Sequence, residues 1–513
     1  MTATTARSAT AAGRKALFSE GYKRVVLALL LLAYTFNFID RTIIATIGPK
    51  IREDLGLSNT QIGLLGGLYF ALLYTILGIP IARLAERFNR VSIISAAVLI
   101  WSGFTALCGT AGSFATLAAY RFGVGIGEAG LSPPSHSLIS DYFEPKKRAS
   151  ALGIYSFGIP LGTMFGAVAG GWIAQNFSWR MAFVLVGAPG VLIAILIKLV
   201  MKEPPRGHSE PGAEPEAPAL NVDELTPAAV SAPAGGWFAK EISELKAVTG
   251  TLFGCWPVLN MILGVTIASF GSYGAGQFIP QYFRSAYHLN IGQVGLIVGL
   301  VGGVSTGLGT LAGGFLTDRL SKRSPRWYSL TPAIGLTIAT PIYIFAYTRP
   351  TWQAAALVLL IPGLFHYTYL APTFGVVQNM VESRQRATAA AIMLFFLNLI
   401  ALGGGPPFTG WLIDHFAQFD INHPAVQGVV GKLAHLFDGG ALDAAKVCPG
   451  GIAPKAAGAT TKALCSATQV QSTQEGIVVS VCFYLWAGFH YLLGSFGLTK
   501  AMQKARDLRG EAN

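Results

Sequence analysis

Long runs of apolar residues, separated by short polar stretches, dominate the chain. Each run holds about twenty residues, the length that an α-helix needs to cross the hydrocarbon core of a bilayer. The runs lack the strict alternation of membrane β-barrel strands, so the pattern predicts helices. Twelve spans are predicted, approximately at residues 25–47, 61–82, 91–110, 114–137, 150–174, 180–200, 252–283, 291–316, 328–348, 352–377, 387–412 and 476–498.

Composition agrees with an all-α, polytopic membrane protein. The chain has 513 residues, of which 52% are hydrophobic and only 12% are charged, whereas soluble domains carry about 25% charged residues. Its 61 glycines are typical of closely packed membrane helices. The net charge of +12 is spread over short loops. We therefore interpret it as a topology signal and expect no nucleic-acid partner.

The distribution of Lys and Arg predicts the orientation. The two tails and the loops after even-numbered spans hold most of these residues, and the loops after odd-numbered spans hold few. Because short cytoplasmic loops are enriched in positive charge, we predict that both termini are cytoplasmic. The first apolar run has spanning length and follows a polar segment, so we expect no cleavable signal peptide. The predicted location is the plasma (inner) membrane.

The spans divide into two six-helix, pseudo-symmetric halves. Residues 201–250 are rich in Pro, Ala and Glu and are predicted to form a flexible cytoplasmic linker. The linker is either plain or contains a short amphipathic helix near residues 237–248 on the membrane surface. The predicted domains are a tail at 1–24, a first half at 25–200, the linker, a second half at 251–498 with an exofacial loop at 413–475, and a tail at 499–513.

An internal repeat supports this division. The stretch 82–90 after the second span has a counterpart at 314–322 after the eighth, and Arg148-Ala149 after the fourth span recurs as Arg386-Ala387 after the tenth. Two halves around a midplane site are the architecture of alternating-access transporters. The repeated charges can pair between loops when the protein opens outward and separate when it opens inward. The other interpretation is that these charges only set the membrane topology. The predicted cytoplasmic gate residues are Glu86, Arg87, Arg90, Arg148, Asp318, Arg319 and Arg386.

Four charged residues lie well inside predicted spans, away from the span ends. Asp40 and Arg41 end the first apolar run, and Arg121 and Glu128 project from nearly one face of the fourth span. Charges at membrane depth usually mark a transport or proton path. For the first pair the alternative is the interfacial end of a helix, and for the second it is a static ion pair. We predict that all four take part in proton coupling, with Asp40 and Glu128 as the carriers.

Polar side chains at helical spacing in the first and seventh spans are candidates for substrate binding, because residues three or four apart share a helix face. An interhelical hydrogen bond is the alternative role for each of them. We predict a substrate site formed by Tyr34, Asn37, Arg41, Arg121, Tyr273, Gln277 and Asn398, with Gln281, His366 and Tyr367 as further candidates.

The fifth span carries glycine at every fourth position, at Gly158, Gly162, Gly166 and Gly170. Small residues at this spacing form a smooth ridge for close helix packing. We predict that the ridge faces the eighth span and has no direct role in substrate binding.

The cysteines and the absence of known catalytic motifs limit the chemistry that we expect of the chain. Cys448 and Cys465 lie in the loop 413–475, where an oxidising compartment would favour a disulfide, and free thiols are the alternative. The sequence has no Walker A loop and no His and Cys cluster with metal-ligand spacing. We therefore expect no enzymatic activity, no metal and no cofactor.

The motifs together resemble the major facilitator superfamily and, within it, the spinster-like group. The resemblance rests on Asn37-Phe38-Ile39-Asp40-Arg41, Glu86-Arg87-Phe88-Asn89-Arg90, Gly125-Ile126-Gly127-Glu128-Ala129 and Gly158-Ile159-Pro160-Leu161-Gly162. It is strong over residues 25–175 and weaker in the second half. Ala82 stands where the family usually has Gly, and Glu86 where Asp is commoner. The resemblance implies export of a lipid-like substrate, and it associates the glycine-interrupted motif around Arg121 with proton coupling.

We therefore predict a proton-coupled secondary active transporter that moves a lipid-like or amphipathic organic anion by alternating access. The expected partners are this substrate, protons and membrane lipids, and the expected state is a monomer. One alternative is a transporter or facilitator of small polar organic anions or drugs. A second alternative, from a different class, is a non-transporting membrane receptor or sensor.

Overall fold

The computed structural model describes residues 17–206, 208–209, 234–382, 385–422, 429–434, 448, 453 and 456–508. Its regular structure is helical. The bundle has two sides, a termini side and a loop side. The termini side holds the start of the first span and the end of the last. The loop side is the opposite one, where the long loop between the eleventh and twelfth spans lies.

The first half contains the first six spans. The first span is a single helix, the second, fourth and fifth are each divided in two, and the third and sixth are single again. The helices are α1 (Glu20–Leu55), α2 (Asn59–Gly66), α3 (Leu68–Arg87), α4 (Arg90–Cys108), α5 (Phe114–Glu128), α6 (Ser132–Tyr142), α7 (Pro145–Ser156), α8 (Gly158–Asn176) and α9 (Trp179–Val200).

The second half follows α10 (Ala234–Gly254), which occupies the later part of the predicted linker. The seventh, eighth, ninth and twelfth spans are single helices, and the tenth and eleventh are divided. The helices are α11 (Trp256–Ala286), α12 (Ile291–Ser321), α13 (Trp327–Tyr347), α14 (Trp352–His366), α15 (Leu370–Asn379), α16 (Arg386–Phe395), α17 (Gly403–Asn422), the short α18 (Val429–Ala434), α19 (Ala459–Ser495) and α20 (Leu498–Leu508).

Capping side chains start the second and eighth spans in the same way. The Ser58 hydroxyl accepts from the backbone N–H of Gln61, and the Gln61 side chain accepts from the backbone of Ser58. Asn290 and Gln293 form the equivalent box at the start of α12. Such caps satisfy backbone groups that the first turn leaves free, and each contributes about 1 kcal/mol. They are a further trace of the repeat between the halves.

Breaks inside spans are the main departure from the predicted pattern. Among the described residues, eleven helical stretches are long and apolar enough to cross a membrane, and the fourth span is not one of them. It is divided into α5 and α6 at residues 129–131, directly after Glu128. The tenth span contains a 3-10 turn at Tyr367–Tyr369, and the eleventh contains a π-helical segment at Phe396–Leu402. Neighbouring helices can satisfy the backbone groups that such breaks release.

The glycine ridge of the fifth span faces the first span, so the prediction that it faces the eighth is wrong. A Cβ on Gly162 would overlap the carbonyl of Thr35, and one on Gly170 would press on Ile43. The eighth span packs on the neighbouring face of α8 instead, where Gly171 meets Gly295. Two small-residue faces on one helix therefore let both neighbours approach closely. The ridge brings α1, with its charged residues, into tight contact with the fifth span.

The first residues of the predicted flexible linker are bound to the first half. The Tyr142 hydroxyl donates to the carbonyl of Lys202, and Arg206 donates to the carbonyls of Ala85 and Phe88 at 2.9 and 3.2 Å. Flexibility is therefore the wrong description for residues 201–206. The linker residues 210–233 lie outside the described part. In the long loop, Cys448 and Cys465 are joined by a disulfide, with their Cα atoms 5.7 Å apart.

Candidate functional site

An ion pair between the first and fourth spans forms the centre of the site. Arg41 Nε lies 2.8 Å from Glu128 Oε2, and the side chains are 17% and 0% exposed. The Arg41 guanidinium also lies 4.8 Å from the ring centre of Phe70 and 4.6 Å from that of Tyr74. These ring faces attract a cation and shield it from water. The pair thus combines a fully buried carboxylate with a cation that retains some access to the space between the halves.

Asp40 points away from this pair, towards the third span. The Thr105 hydroxyl donates to Asp40 Oδ2 at 3.0 Å, and the other carboxylate oxygen is buried with no hydrogen-bond partner among the described residues. Adjacent residues on a helix project about 100° apart, which explains why Asp40 and Arg41 have different neighbours. Asp40 is 3% exposed, so its carboxylate is inside the helix bundle.

Arg121 does not pair with Glu128, so the static pair that was the alternative interpretation of these two residues is wrong. Seven residues on a helix separate the two side chains by about 10 Å along the axis. Arg121 Nε instead donates to the carbonyl of Leu65 at 3.1 Å, near the break in the second span, and its guanidinium lies 5.2 Å from the Phe70 ring centre. Arg121 therefore ties the fourth span to the second.

Several buried polar atoms around the pair have no hydrogen-bond partner among the described residues. They are both side-chain atoms of Asn37, Oδ1 of Asp40, Oε1 of Glu128 and Nη2 of Arg121. An unsatisfied buried polar group costs about 1–3 kcal/mol, so a group of them needs a reason to persist, such as bound water or a functional role. Both acids therefore have an oxygen available to accept a proton.

The predicted substrate residues fall into different places. Tyr34 stacks on Tyr155 with ring centres 4.2 Å apart. Tyr273 is 40% exposed although it lies in the middle of α11, and it interacts electrostatically with Arg41 and Tyr367. Because Arg41 and Tyr367 belong to different halves, Tyr273 lies where the two halves face each other. Asn398 is part-buried in the π-helical segment of the eleventh span, and π-bulges are frequent at functional sites.

Two of the candidates lie elsewhere. Gln277 is buried where the seventh span meets the second, so close to Gly66 that a Cβ there would overlap the Gln277 amide. His366 is buried in the second half, with Nδ1 3.2 Å from the Tyr343 hydroxyl and its ring 4.4 Å from that of Tyr484. Gln277 therefore belongs to the contact between the halves and His366 to the core of the second half.

A polar network on the loop side joins the two halves, and sequence reasoning missed it. Asp414, in the second half of α17, accepts hydrogen bonds from the backbone N–H groups of Asn59 and Thr60 at 3.0 and 2.8 Å. It also accepts from their side chains at 2.7 and 2.6 Å. A carboxylate at the N-terminus of α2 is favoured by the free N–H groups and the helix dipole. We call Asp414, Asn59 and Thr60 the loop-side gate.

Two further contacts close the loop side. Gln281 donates to Asn59 Oδ1 at 2.9 Å and to Thr473 at 3.0 Å. Arg284 of the seventh span makes a bidentate ion pair with Glu53 of the first, at 2.5 and 3.0 Å. The sequence signal for the loop-side gate was ambiguous, because Asn, Thr and Asp at predicted helix ends are typical of ordinary caps.

Two of the predicted gate residues on the termini side, Glu86 and Arg90, pair with residues of the first half or of the linker that follows it. Glu86 pairs with Arg83 at 3.0 Å, one turn earlier in α3. Arg90 is buried and pairs with Asp141 and Glu203 at 2.5 and 2.6 Å.

The remaining gate residues differ in their surroundings. Arg148 Nε donates to the carbonyls of Ser140 and Phe143, while Asp318 and Arg319 are exposed at the end of α12. Nε of Arg386 is buried, and Arg87 is exposed at the end of α3. Pairing of Glu86, Asp318 and their neighbours between the loops remains a prediction for another conformation.

Two helical halves that meet on one side of the membrane, with buried charges between the spans, define the class of polytopic membrane transporters. The chain belongs to the Major Facilitator Superfamily, which matches residues 30–406. The predicted fold, with twelve transmembrane helices in two halves, is confirmed, and the family is one of transporters and not of enzymes.

Three relatives refine the assignment. The chain is 32% identical over 388 residues to an MFS-type efflux pump of Mycolicibacterium smegmatis, covering 75% of this chain and 83% of the pump. It is 27% identical over 411 residues to the hexuronate transporter of Bacillus subtilis, covering 79% and 90%. Its fold is similar to that of a bacterial homologue of the human lysosomal transporter spinster, in an inward-facing and unoccupied conformation. The TM-score is 0.75 with 33% identity, over 95% of this chain and 99% of the homologue. The resemblance to the spinster-like group is thereby confirmed.

Proposed function

We propose that the protein is a proton-coupled secondary active transporter that moves an amphipathic, lipid-like organic anion by alternating access. One observation carries the proposal. The buried Arg41–Glu128 pair leaves one oxygen of Glu128 without a partner, beside a second buried acid, Asp40. Charged groups at this depth are costly and are usually retained for ion or substrate movement.

The pair supplies a coupling logic. While Glu128 is ionised, it occupies Arg41, because an isolated buried charge is strongly unfavourable. Protonation of Glu128 removes its charge and leaves the Arg41 guanidinium available to an anionic head group in the cavity. Release of the anion then favours loss of the proton and return of the pair. Because Arg41 retains 17% side-chain exposure and Glu128 none, the arginine is the member that can meet a substrate.

Asp40 is the second proton carrier in this proposal. Its free oxygen and its single hydrogen bond from Thr105 leave it able to hold a proton without breaking an ion pair. It lies within the electrostatic influence of Arg41, Arg121 and Glu128. A change of charge on one acid is therefore felt by the other, so the two acids titrate as a coupled system.

Aromatic side chains support the amphipathic character of the substrate. Phe38, Phe70 and Tyr74 lie within about 5 Å of the Arg41 guanidinium, and Tyr273 faces it from the second half. An anionic group at Arg41 would thus place the apolar part of the same molecule against rings. The likeness to a bacterial homologue of spinster supports the same substrate class.

Orientation and gating complete the proposal. With the termini in the cytoplasm of a cell with a plasma (inner) membrane, the closed loop side is exofacial and the structure faces inward. Opening outward would break the contacts of Asp414 and Arg284, and would bring the loops of Glu86 and Asp318 together on the cytoplasmic side. Two alternating sets of contacts of this kind are what rocking of two halves requires.

Uptake into proteoliposomes under an imposed pH gradient tests the proposal. The variants Glu128→Gln and Asp40→Asn are expected to lose uptake driven by the gradient, because neither amide can release a proton at neutral pH. Glu144→Gln, which removes an exposed acid on the termini side, is the matched control and is expected to keep it. Gradient-driven uptake that survives in both site variants would rule out these carriers.

A transporter of small polar organic anions is the second candidate, favoured by the likeness to a hexuronate transporter. The Arg41–Glu128 pair serves either substrate, so binding has to separate the two. Thermal stabilisation of the purified protein by lysolipids but not by sugar acids supports the amphipathic substrate, and the reverse supports the small anion. Counterflow of whichever compound binds would also exclude a non-transporting receptor.

A further inference from the structure

A cavity of about 390 Å³ lies on the loop side, where the two halves meet. It is separate from the central site, since neither Arg41 nor Glu128 lines it. Its wall comes from the ends of the first and seventh spans and from the beginning of the twelfth. Its polar lining includes Arg52, Glu53, Gln281, Arg284, Lys462 and Gln469.

The wall of this cavity carries more positive than negative charge. Its lining has three cations, Arg52, Arg284 and Lys462, and one carboxylate, that of Glu53, while Asp414 lies behind Asn59 and acts on Arg52 from outside the cavity. Arg284 is already paired with Glu53 at 2.5 Å, so the other two cations determine the remaining charge. An excess of cations in a concave site raises the local concentration of anions.

Arg52 is the residue that points to a ligand. It is 2% exposed, and its guanidinium donates from Nη1 to Asn59 at 2.8 Å. Its Nε is buried without a hydrogen-bond partner among the described residues. A buried arginine normally uses its planar set of donors on a carboxylate or a similar anion. Arg52 therefore has donor capacity that its protein neighbours leave unused.

We propose that this cavity is a second anion-binding site, which takes a small organic anion through its carboxylate or sulfonate group. Arg52 and Lys462 hold the acidic group, and the amides of Gln281 and Gln469 bond polar groups on the rest of the molecule. The volume of about 390 Å³ suits a ligand the size of a sugar acid. The disulfide between Cys448 and Cys465 holds a loop segment against the same wall.

The position of the cavity gives binding a consequence for transport. Arg52 belongs to the first half, whereas Gln281 and Lys462 belong to the second. The complete site therefore exists only while the halves are closed on the loop side. A ligand that binds one conformation shifts the population towards it. An anion bound here thus stabilises the conformation closed on the loop side, whether or not transport is coupled to protons.

Thermal unfolding of the purified full chain in potassium gluconate, compared with potassium chloride at equal ionic strength, tests binding. An Arg41→Gln background removes the central arginine, so that the remaining effect reports this cavity. We expect saturable stabilisation by gluconate. Lys462→Gln should weaken the apparent affinity for gluconate about tenfold, because a charge-assisted bond is lost. Lys462→Arg should retain that affinity. Lys500→Gln removes a lysine on the termini side. Gluconate should stabilise this variant as much as it stabilises the parent.

Two results would overturn the proposal. One is equal stabilisation of the parent and of Lys462→Gln. The other is complete loss of stabilisation in Arg41→Gln when that variant is folded, which would assign gluconate to the central cavity and leave the proposed function intact.

A distance measurement keeps the test independent of stability. Spin labels at positions 112 and 350, in exposed loop-side connections of the two halves, report opening when the three free cysteines are replaced by alanine. Gluconate should shift the distribution towards the shorter distance, and Lys462→Gln should abolish that shift. A distribution that gluconate leaves unchanged would contradict the proposal.

Discussion

The two halves share one architecture but have different polar centres. The first half contains the ion pair of Arg41 and Glu128, with Asp40 beside it. The second half has a neutral centre, in which His366 lies among the rings of Tyr343 and Tyr484. In the second half, Arg284 and Asp318 lie near the ends of α11 and α12, and Asp414 and Glu475 lie on the loop side.

This difference indicates a division of labour. Buried charges respond to a proton with a change of several kcal/mol, because the interior amplifies electrostatic interactions. A neutral cluster of rings and hydroxyls mainly fixes packing and shape. We infer that the first half senses the proton, while the second half provides a rigid wall and, through Asp414, one side of the loop-side gate. The following predictions test that division.

The largest effect is expected from separating the ion pair. Arg41→Gln alone leaves Glu128 buried without its cation, and breaking a buried pair costs about 3–5 kcal/mol. The double variant Arg41→Gln with Glu128→Gln should recover most of the lost thermal stability, because no buried charge remains. Transport should stay absent in both. A double variant as unstable as the single one would show that the pair matters only for packing.

Weakening the loop-side gate between the two halves should have an intermediate effect. Asp414→Asn removes a charge that accepts four hydrogen bonds from Asn59 and Thr60. Bonds to charged groups are worth about 1.5–3 kcal/mol, so the population should move towards opening on the loop side by roughly tenfold or more. The loop-side distance between labels at 112 and 350 measures this shift.

Asp507→Asn is the matched control for the loop-side variant, because Asp507 is exposed on the termini side, in α20. It should leave the distance distribution as in the parent. An unchanged distribution in Asp414→Asn would mean that the packed spans alone hold the loop side closed.

The sequence predicted the fold and the family resemblance, and it singled out the four intramembrane charges whose role stays a prediction, because apolar length and intramembrane charge are strong local signals. It did not predict that Glu128 pairs with Arg41 and not with Arg121. Arg121 and Glu128 are close in sequence, but the break after Glu128 and the tight packing of α1 bring Arg41 to the carboxylate instead. Which arginine meets which acid depends on how separate helices rotate against each other, and no local pattern records that.

The loop-side gate was missed for a related reason. Asp414 and Asn59 are 355 residues apart in the chain, and each alone looks like a residue that ends or begins a helix. The glycine ridge was recognised as a packing surface, but its partner was wrong, because periodicity identifies a helix face and not the helix that covers it. Contacts between elements distant in sequence are what the chain in isolation leaves open.

The smallest effect is expected in the second half, from His366→Phe. Nε2 of His366 is buried without a partner among the described residues, and its only polar contact given by the structure is with the Tyr343 hydroxyl at 3.2 Å. Phenylalanine keeps the ring contacts with Tyr484 and removes an unsatisfied polar atom, while the tyrosine loses one hydrogen bond. These changes nearly cancel, so thermal stability should move by less than about 1 kcal/mol. The dependence of transport on the pH gradient should be retained. Loss of that dependence in a stable variant would make the second half part of the proton path and would end the division of labour between the halves.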